Sequence, residues 1–171
     1  AQFSIPRLED LFDDDVRVRG GEITDGVAEL FPEARAVVSG AVPKRQHEFA
    51  CGRVLARAML AEMGWASAPL LAAVDRTPCW PQGAVGSIAH ADGLCVVAVA
   101  RSRDFLSVGV DVEPAEPLDH ELWDVVCTQS ERDDLNARNR ADRGPFAKVL
   151  FVAKEARVLH CHIIHRANMT I

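Results

Sequence analysis

Two carboxylates stand two residues apart in the apolar stretch SVGVDVEP, at Asp111 and Glu113. The valines of this stretch alternate with other residues, which predicts a β-strand, and side chains two apart on a strand share one face. Two acids this close repel each other, and burial without a cation would raise their pKa. A divalent cation such as Mg²⁺ takes oxygen ligands and would remove both costs. The alternative is a strand end that runs into solvent, which is the commoner arrangement for such a pair taken alone.

A further acid lies in FAKVLFVAKEAR, residues 146–157, where Lys154 and Glu155 are adjacent. The segment is apolar on nearly all sides, so we predict a helix buried between layers. Adjacent charges in a buried helix each need a partner. The acid could complete a metal shell and the lysine could contact a phosphate; the alternative is an ordinary helix with a charged edge.

Ser87 and His90 follow Gly86 in the stretch GSIAH. Residues 78–86, PCWPQGAVG, are rich in proline and glycine, so we predict turns there. Gly86 would let the chain turn closely at GSIAH, where both polar side chains could bind a phosphate. A serine nucleophile with a histidine base is a rival interpretation, but S-x-x-H has no elbow motif and no evident orienting acid. A capping serine beside a half-buried histidine is the structural alternative, and it is favoured for an isolated match.

Basic residues gather in KRQHEFACGRVLAR, at the start of the strongest helical pattern of the chain, residues 44–63. Arg53 and Arg57 lie one turn apart, and with Lys44 and Arg45 they can meet a phosphate with forked donors. The alternative is a solvated basic edge of the helix.

The composition describes a globular protein: 171 residues, 49% apolar and 26% charged, with a net charge of −6. This length fits one domain or two small ones that share a core. The negative charge gives no support to nucleic-acid binding. The longest apolar run, LCVVAVA, is too short to span a bilayer, so we expect no membrane segment. We see no secretory signal, and five scattered cysteines favour reduced thiols and a cytoplasmic location.

Four further segments must position these groups. Residues 26–38 are predicted to form a helix or a turn plus helix, and 94–100 a buried strand that pairs with 107–113 in an antiparallel hairpin. Residues 119–137 are predicted to be helical, with Asp119 as N-cap. We predict that RNRADRGP is a loop.

In chain order, the motifs RxxEFxxGRxxAR, PxWPxGxxGSIxH, GVDVEP and FxAKEA resemble the 4′-phosphopantetheinyl transferases that activate siderophore, peptide and polyketide synthases. PCWPQG is most similar to the actinobacterial and enterobactin-type branch. The resemblance implies an α/β (α+β) fold of two similar halves, each a long helix on a small antiparallel sheet, with the site between them. We therefore divide the chain into an acidic lead-in (1–25), a first half (26–106), a partial second half (107–156) and an atypical tail (157–171).

The family continues with further strands after the motif that ends here at Ala156, whereas this chain has RVLHCHIIHRANMTI. Leu159 stands where a second lysine is typical of the family. We therefore expect a second half that lacks strands.

The resemblance implies a role for each acid. Asp111, Glu113 and Glu155 would hold Mg²⁺ against the pyrophosphate of coenzyme A. Lys154 would contact a phosphate, and Lys154 or Glu155 would assist proton removal. Asp111, Lys154 and Glu155 are thus the expected catalytic set.

Coenzyme A would be held by the other motifs. The residues implied are Arg45 and Arg53 for phosphate, Ser87 and His90 for the nucleotide phosphates with His90 on the 3′-phosphate, and Trp80 and Pro81 for adenine. The reaction expected from the resemblance is attack by a serine of an acyl or peptidyl carrier protein on the β-phosphate, with 3′,5′-ADP leaving; such transfer depends on positioning and charge neutralisation.

Two other functions stay open. A truncated relative could bind coenzyme A or a carrier protein without transfer. A structural or metal-sensing domain could bind Zn²⁺ through the tail residues His160, Cys161, His162 and His165. Incidental histidines are the favoured interpretation of that tail, since a four-ligand site needs better-spaced partners.

Overall fold

The computed structural model describes residues 12–114 and 116–158. Leu159 and the four tail residues considered for Zn²⁺ lie outside the described residues. The elements, in chain order, are β1 (Arg17–Glu22), α1 (Pro32–Val38), α2 (Pro43–Glu62), β2 (Ala84–Ala91), β3 (Leu94–Arg101), α3 (Trp123–Val126), α4 (Gln129–Ala137) and α5 (Arg140–Val158). The mixed α/β fold with a small antiparallel sheet is confirmed. No helix in this described part of the chain is long and apolar enough to cross a membrane.

The sheet has the order β1-β3-β2, with both pairings antiparallel and β3 in the centre. Its first strand, β1, comes from the segment that we predicted to be an acidic lead-in. β2 and β3 are joined at Asp92 and Gly93, whose φ angles of 48° and 81° suit the tight turn that an Asp-Gly pair favours. The predicted turn at GSIAH is therefore wrong, because that stretch lies in β2 and the turn comes after it.

The predicted hairpin between 94–100 and 107–113 is also wrong. Both edges of β3 are occupied by β1 and β2, so 107–113 runs outside the sheet. Its alternation is nevertheless real: Val108 and Val110 are buried in a cluster with residues of β1 and β3. The segment thus covers the face of the sheet that α2 leaves open.

Helix α2 covers the other face and confirms the predicted helix 44–63 to within a residue. Pro43 occupies its first turn, where the missing N–H costs nothing. Gly52 allows close approach to the sheet, because a methyl group there would lie 2.6 Å from Cγ2 of Ile88. The core on this side is formed by Ala56, Met59, Leu60, Leu70, Ala84, Cys95, Val97 and Val99.

The predicted helix 119–137 is interrupted. Asp119 caps its first turn, as expected, by accepting a hydrogen bond from the backbone N–H of Glu121. A second helix, α4, starts after Thr128, where a reciprocal capping box with Glu131 satisfies two backbone groups and favours a new start over continuation.

Two expectations for the last helix are wrong. RNRADRGP is not a loop, because α5 begins at Arg140 and accommodates Pro145 early in its length. The helix is also not buried on all sides. Ala147 is fully buried, but Val149 is 60% exposed, because α5 packs along one side against α3 and α4.

Replacing Gly86 with Ala is expected to lower the free energy of unfolding by roughly 1–3 kcal/mol, the usual cost of overpacking. The added methyl would lie 2.5 Å from the carbonyl oxygen of Ala98 and 2.7 Å from the ring of Trp80. Gly21→Ala on β1 is the matched control. A methyl at Gly21 meets no described atom within 4 Å, so a change below about 0.5 kcal/mol is expected. Equal midpoints of urea unfolding for the two variants would contradict this packing.

Candidate functional site

A cleft of about 550 Å³ separates residues 109–114 from helix α5. Asp111 and Glu113 line one wall, and Lys148 and Val152 line the other. The extended segment reaches this position because its buried valines hold it on the sheet, and because Ser87 of β2 donates a hydrogen bond of 3.4 Å to the carbonyl of Val110. The sheet therefore sets the position of the carboxylate pair.

The carboxylates of this pair have unequal partners. Nζ of Lys148 lies 3.0 Å from Oε2 of Glu113, in a partly buried ion pair. Oδ2 of Asp111 is buried and has no hydrogen-bond partner in the described parts of the chain. Burial raises the pKa of Asp111, and the hydrogen bond from the Val112 amide opposes this in part. The nearby charge of Glu113 raises the pKa further, against a smaller opposing effect of Lys148. The two carboxylates are thus neutralised only in part by Lys148, and a further cation beside them would be favourable.

Glu155 and Lys154 lie on different sides of α5. Lys148 and Val152 are four residues apart on α5 and both line the cleft. Glu155 lies on the same side of the helix as Lys148, seven residues further on, but is not among the described residues that line the cleft. Lys154 instead contacts α3 and α4: its Nζ lies 2.6 Å from Oε2 of Glu131 and donates to the carbonyl of Val126 at 2.7 Å.

The three expected metal ligands are not gathered into one cluster. Among residues 12–114 and 116–158, no three acidic, histidine or cysteine side chains are grouped closely enough to hold a metal ion. Asp111 and Glu113 stand together, and Glu155 stands apart. Sequence reasoning missed Lys148, and its position seven residues before Glu155 was the available signal, since that spacing shares a helix face.

A second group of charged side chains lies where α2 contacts the end of β2. Nη1 of Arg45 donates a 3.0 Å hydrogen bond to Nε2 of His90. This contact places the proton of the neutral ring on Nδ1, which faces Oε2 of Glu48 at 3.9 Å. Glu48 also lies 3.5 Å from Nη1 of Arg45. The motif contained Glu48, and its i, i+3 spacing from Arg45 could have identified it as a partner.

Arg53 lies deeper, with only 6% of its surface exposed. Its guanidinium lies 4.2 Å above the ring of Phe49, and Nε donates to the carbonyl of Leu70 at 3.4 Å. Burial and the nearby charge of Arg45 lower the pKa of Arg53 to about 10. Arg53 is thus cationic at neutral pH, and an anion near both arginines would relieve their repulsion.

The structure does not bring Ser87 and His90 together. They are three residues apart on a strand, so they project from opposite faces of the sheet. Ser87 is 1% exposed and faces Val110, whereas His90 faces α2. Half-buried Trp80 packs against Gly86, and its indole N–H is buried with no partner among the described residues. Pro81, also half-buried, follows it.

Comparison with known proteins identifies the two parts of the chain separately. The sequence model of the 4′-phosphopantetheinyl transferase N-terminal domain matches residues 33–100, and that of the 4′-phosphopantetheinyl transferase superfamily matches residues 107–158.

Three curated relatives match across both parts. The 4′-phosphopantetheinyl transferase Svp of Streptomyces mobaraensis is 45% identical over 77% of this chain and 54% of its own length. The 4′-phosphopantetheinyl transferase PptT of Mycobacterium tuberculosis is 36% identical over 73% and 55%. Enterobactin synthase component D of Salmonella typhi is 32% identical over 67% and 46%. The chain thus spans about half the length of the curated relatives it matches.

Asp111→Asn is expected to raise the midpoint of urea unfolding slightly at neutral pH in metal-free buffer, because it removes a charge that burial and Glu113 disfavour. The pKa of Asp111 is raised in the folded protein above its ordinary value of 3.8. The penalty is therefore full above the folded-state pKa and fades as pH falls toward the ordinary value. The gain from Asn should shrink on acidification.

The matched control is Glu116→Gln, which changes an exposed acid beyond the same segment and should leave the midpoint unchanged at each pH. A loss of stability in Asp111→Asn at neutral pH, or a gain independent of pH, would show that burial does not disfavour this carboxylate.

Proposed function

Because the chain belongs to the 4′-phosphopantetheinyl transferase superfamily, we propose that it transfers the phosphopantetheine arm of coenzyme A to a serine of an acyl or peptidyl carrier protein. The serine oxygen forms a bond to the β-phosphorus, and the bond from that phosphorus to the bridging oxygen breaks. 3′,5′-ADP leaves, and the serine proton passes to a base. The observation that carries this proposal is the carboxylate pair in the cleft, with the unpartnered oxygen of Asp111.

Magnesium fits these residues. Asp111 and Glu113 provide hard oxygen ligands, one oxygen lacks a partner in the part of the chain that the structure describes, and their mutual repulsion favours a divalent cation. Glu155, on the same side of α5 as Lys148, would add a third carboxylate once it approaches the pair. When bound, Mg²⁺ would neutralise the pyrophosphate and orient it. The protein's own contribution is to hold Asp111 and Glu113 on the wall of the cleft that faces α5.

The cationic group on the other face of the sheet would bind the nucleotide. Arg45 and His90 are in contact and partly exposed, so an entering phosphate can replace their mutual hydrogen bond. We assign the 3′-phosphate to His90 and supporting positive charge to the buried Arg53. Trp80 and Pro81 would line the adenine site. Ser87, buried against Val110, would support the carboxylate segment rather than contact phosphate.

Glu155 is the better candidate for proton acceptance. Lys154 is held by Glu131 and by a backbone carbonyl, on the side of α5 away from the carboxylate pair. A direct phosphate contact by Lys154 would require both bonds to break. In the described arrangement, its contribution is to fix α5, and with it Glu155, against α4.

Binding without transfer is a second candidate function. The observation in its favour is the separation of Glu155 from Asp111 and Glu113 within the described residues. Such a protein would bind coenzyme A through Arg45 and His90 and leave the carrier serine unmodified.

Transfer is measured as the mass gain of an apo carrier protein incubated with the chain, coenzyme A and Mg²⁺. We expect a gain of one phosphopantetheine group, and a loss of rate on the order of a hundredfold in Asp111→Ala. Glu116→Ala is the control and should retain the rate. Equal rates in Asp111→Ala and the unaltered chain would refute the metal assignment. Binding of coenzyme A with no mass gain would establish the second function.

The same preparation tests the nucleotide site. His90→Ala should weaken binding of coenzyme A by roughly tenfold, in line with the loss of one charge-assisted contact. Binding of dephospho-coenzyme A, which lacks the 3′-phosphate, should change little. Equal losses for both ligands, measured by calorimetry, would refute the assignment of His90.

A further inference from the structure

Lys148 is the charged residue of the cleft that the proposed reaction leaves without a role. Its side chain is 18% exposed, and its ammonium lies 3.0 Å from Glu113. The same ammonium lies 5.2 Å from the centre of the Phe151 ring, within range of a cation–π contact. Of the described residues that line the cleft, only Asp111, Glu113 and Lys148 carry charge.

The three charges are unevenly matched. Lys148 supplies one positive charge and contacts Glu113, while Oδ2 of Asp111 stays buried without a partner among residues 12–114 and 116–158. An ammonium donates to one carboxylate well, but a divalent cation can bind oxygens of both and carries twice the charge. The lysine therefore neutralises one of the two negative charges of the pair.

Lysine and a metal ion compete for the same carboxylate. At separations near 4 Å, like charges repel strongly wherever water is partly excluded. An ammonium in contact with Glu113 and a divalent ion on Glu113 would lie at about that separation. This repulsion favours movement of the ammonium away from Glu113, and the ring of Phe151 on the same helix, which it already contacts, can keep it nearby.

We infer that Lys148 is a resident counter-cation of the carboxylate pair, which a divalent metal ion must displace from Glu113. The inference rests on the proposed metal role of Asp111 and Glu113. In the metal-free protein, the lysine reduces repulsion between the acids and keeps them in place. Its cost is weaker metal binding, so that an anionic substrate entering the cleft gains by offering the displaced ammonium a new partner.

A purely structural role for the ion pair predicts a different change in metal affinity when Lys148 is removed. If Lys148 only fastened α5 to the carboxylate segment, its removal would loosen the site and weaken metal binding or leave it unchanged. If Lys148 competes with the metal, its removal strengthens metal binding even though it destabilises the metal-free protein. Metal affinity therefore separates the two roles.

The experiment measures Mn²⁺ binding, by the electron paramagnetic resonance signal of the free ion, with no substrate present. We compare the unaltered chain with Lys148→Met, which keeps the length and apolar stem, and with Lys148→Arg, which keeps the charge. Arg140→Met is the matched control, since it removes one exposed positive charge from the same helix, outside the cleft.

Lys148→Met should bind Mn²⁺ roughly three- to tenfold more tightly, the range for one partly exposed charge–charge interaction. Lys148→Arg and Arg140→Met should stay within about twofold of the unaltered chain. Adding Asp111→Asn to Lys148→Met should abolish the gain. Unchanged or weaker binding in Lys148→Met, a gain that survives Asp111→Asn, or no Mn²⁺ binding to either chain would overturn the inference.

If Lys148→Met is too unstable for the binding measurement, the rise in melting temperature caused by Mn²⁺ tests the same inference. Mn²⁺ should raise its melting temperature more than that of the unaltered chain at equal concentration, because tighter binding to the folded state stabilises it more. An equal or smaller rise would also overturn the inference. Failure of carrier-protein transfer with tighter Mn²⁺ binding in Lys148→Met would count against the proposed function alone.

Discussion

The unbalanced charge in the cleft is the constraint on which the rest of the site depends. Two carboxylates lie side by side in a mostly apolar cleft with one ammonium between the walls, and one oxygen has no partner in the described chain. Such an arrangement costs stability, because burial and the charge of Glu113 disfavour the ionised form of Asp111. It persists because buried valines and the Ser87–Val110 hydrogen bond hold the segment against the sheet.

The basic side chains and the paired acids lie on opposite faces of the sheet. On the face covered by α2, Arg45 and His90 meet at the end of β2, with Arg53 buried nearby. On the opposite face, residues 107–113 carry the acids toward α5. Because both groups are fixed to one three-stranded sheet, their separation is set by packing rather than by flexible loops.

The sequence was most informative where the pattern is local. The helix from residue 43 and the strand around 94–100 follow from periodicity and burial, and the side-by-side placement of Asp111 and Glu113 follows from alternation. Pairing partners did not follow, because alternation specifies which side chains share a face but not which strand lies alongside. The partners of Lys148 and Lys154 were likewise hidden, since each lies more than twenty residues away in sequence.

Paramagnetic relaxation by Mn²⁺ tests the central claim most directly, because it locates the cation without requiring turnover. In an amide-proton spectrum of the isotopically labelled chain, substoichiometric Mn²⁺ should broaden first the signals of residues 109–113 and of α5 near Lys148 and Val152. Signals of α1, which packs against α2 on the opposite side of the sheet, should stay sharp. First broadening at the N-terminal acidic residues, or uniform weak broadening along the chain, would contradict the account by showing that the cleft does not hold the cation.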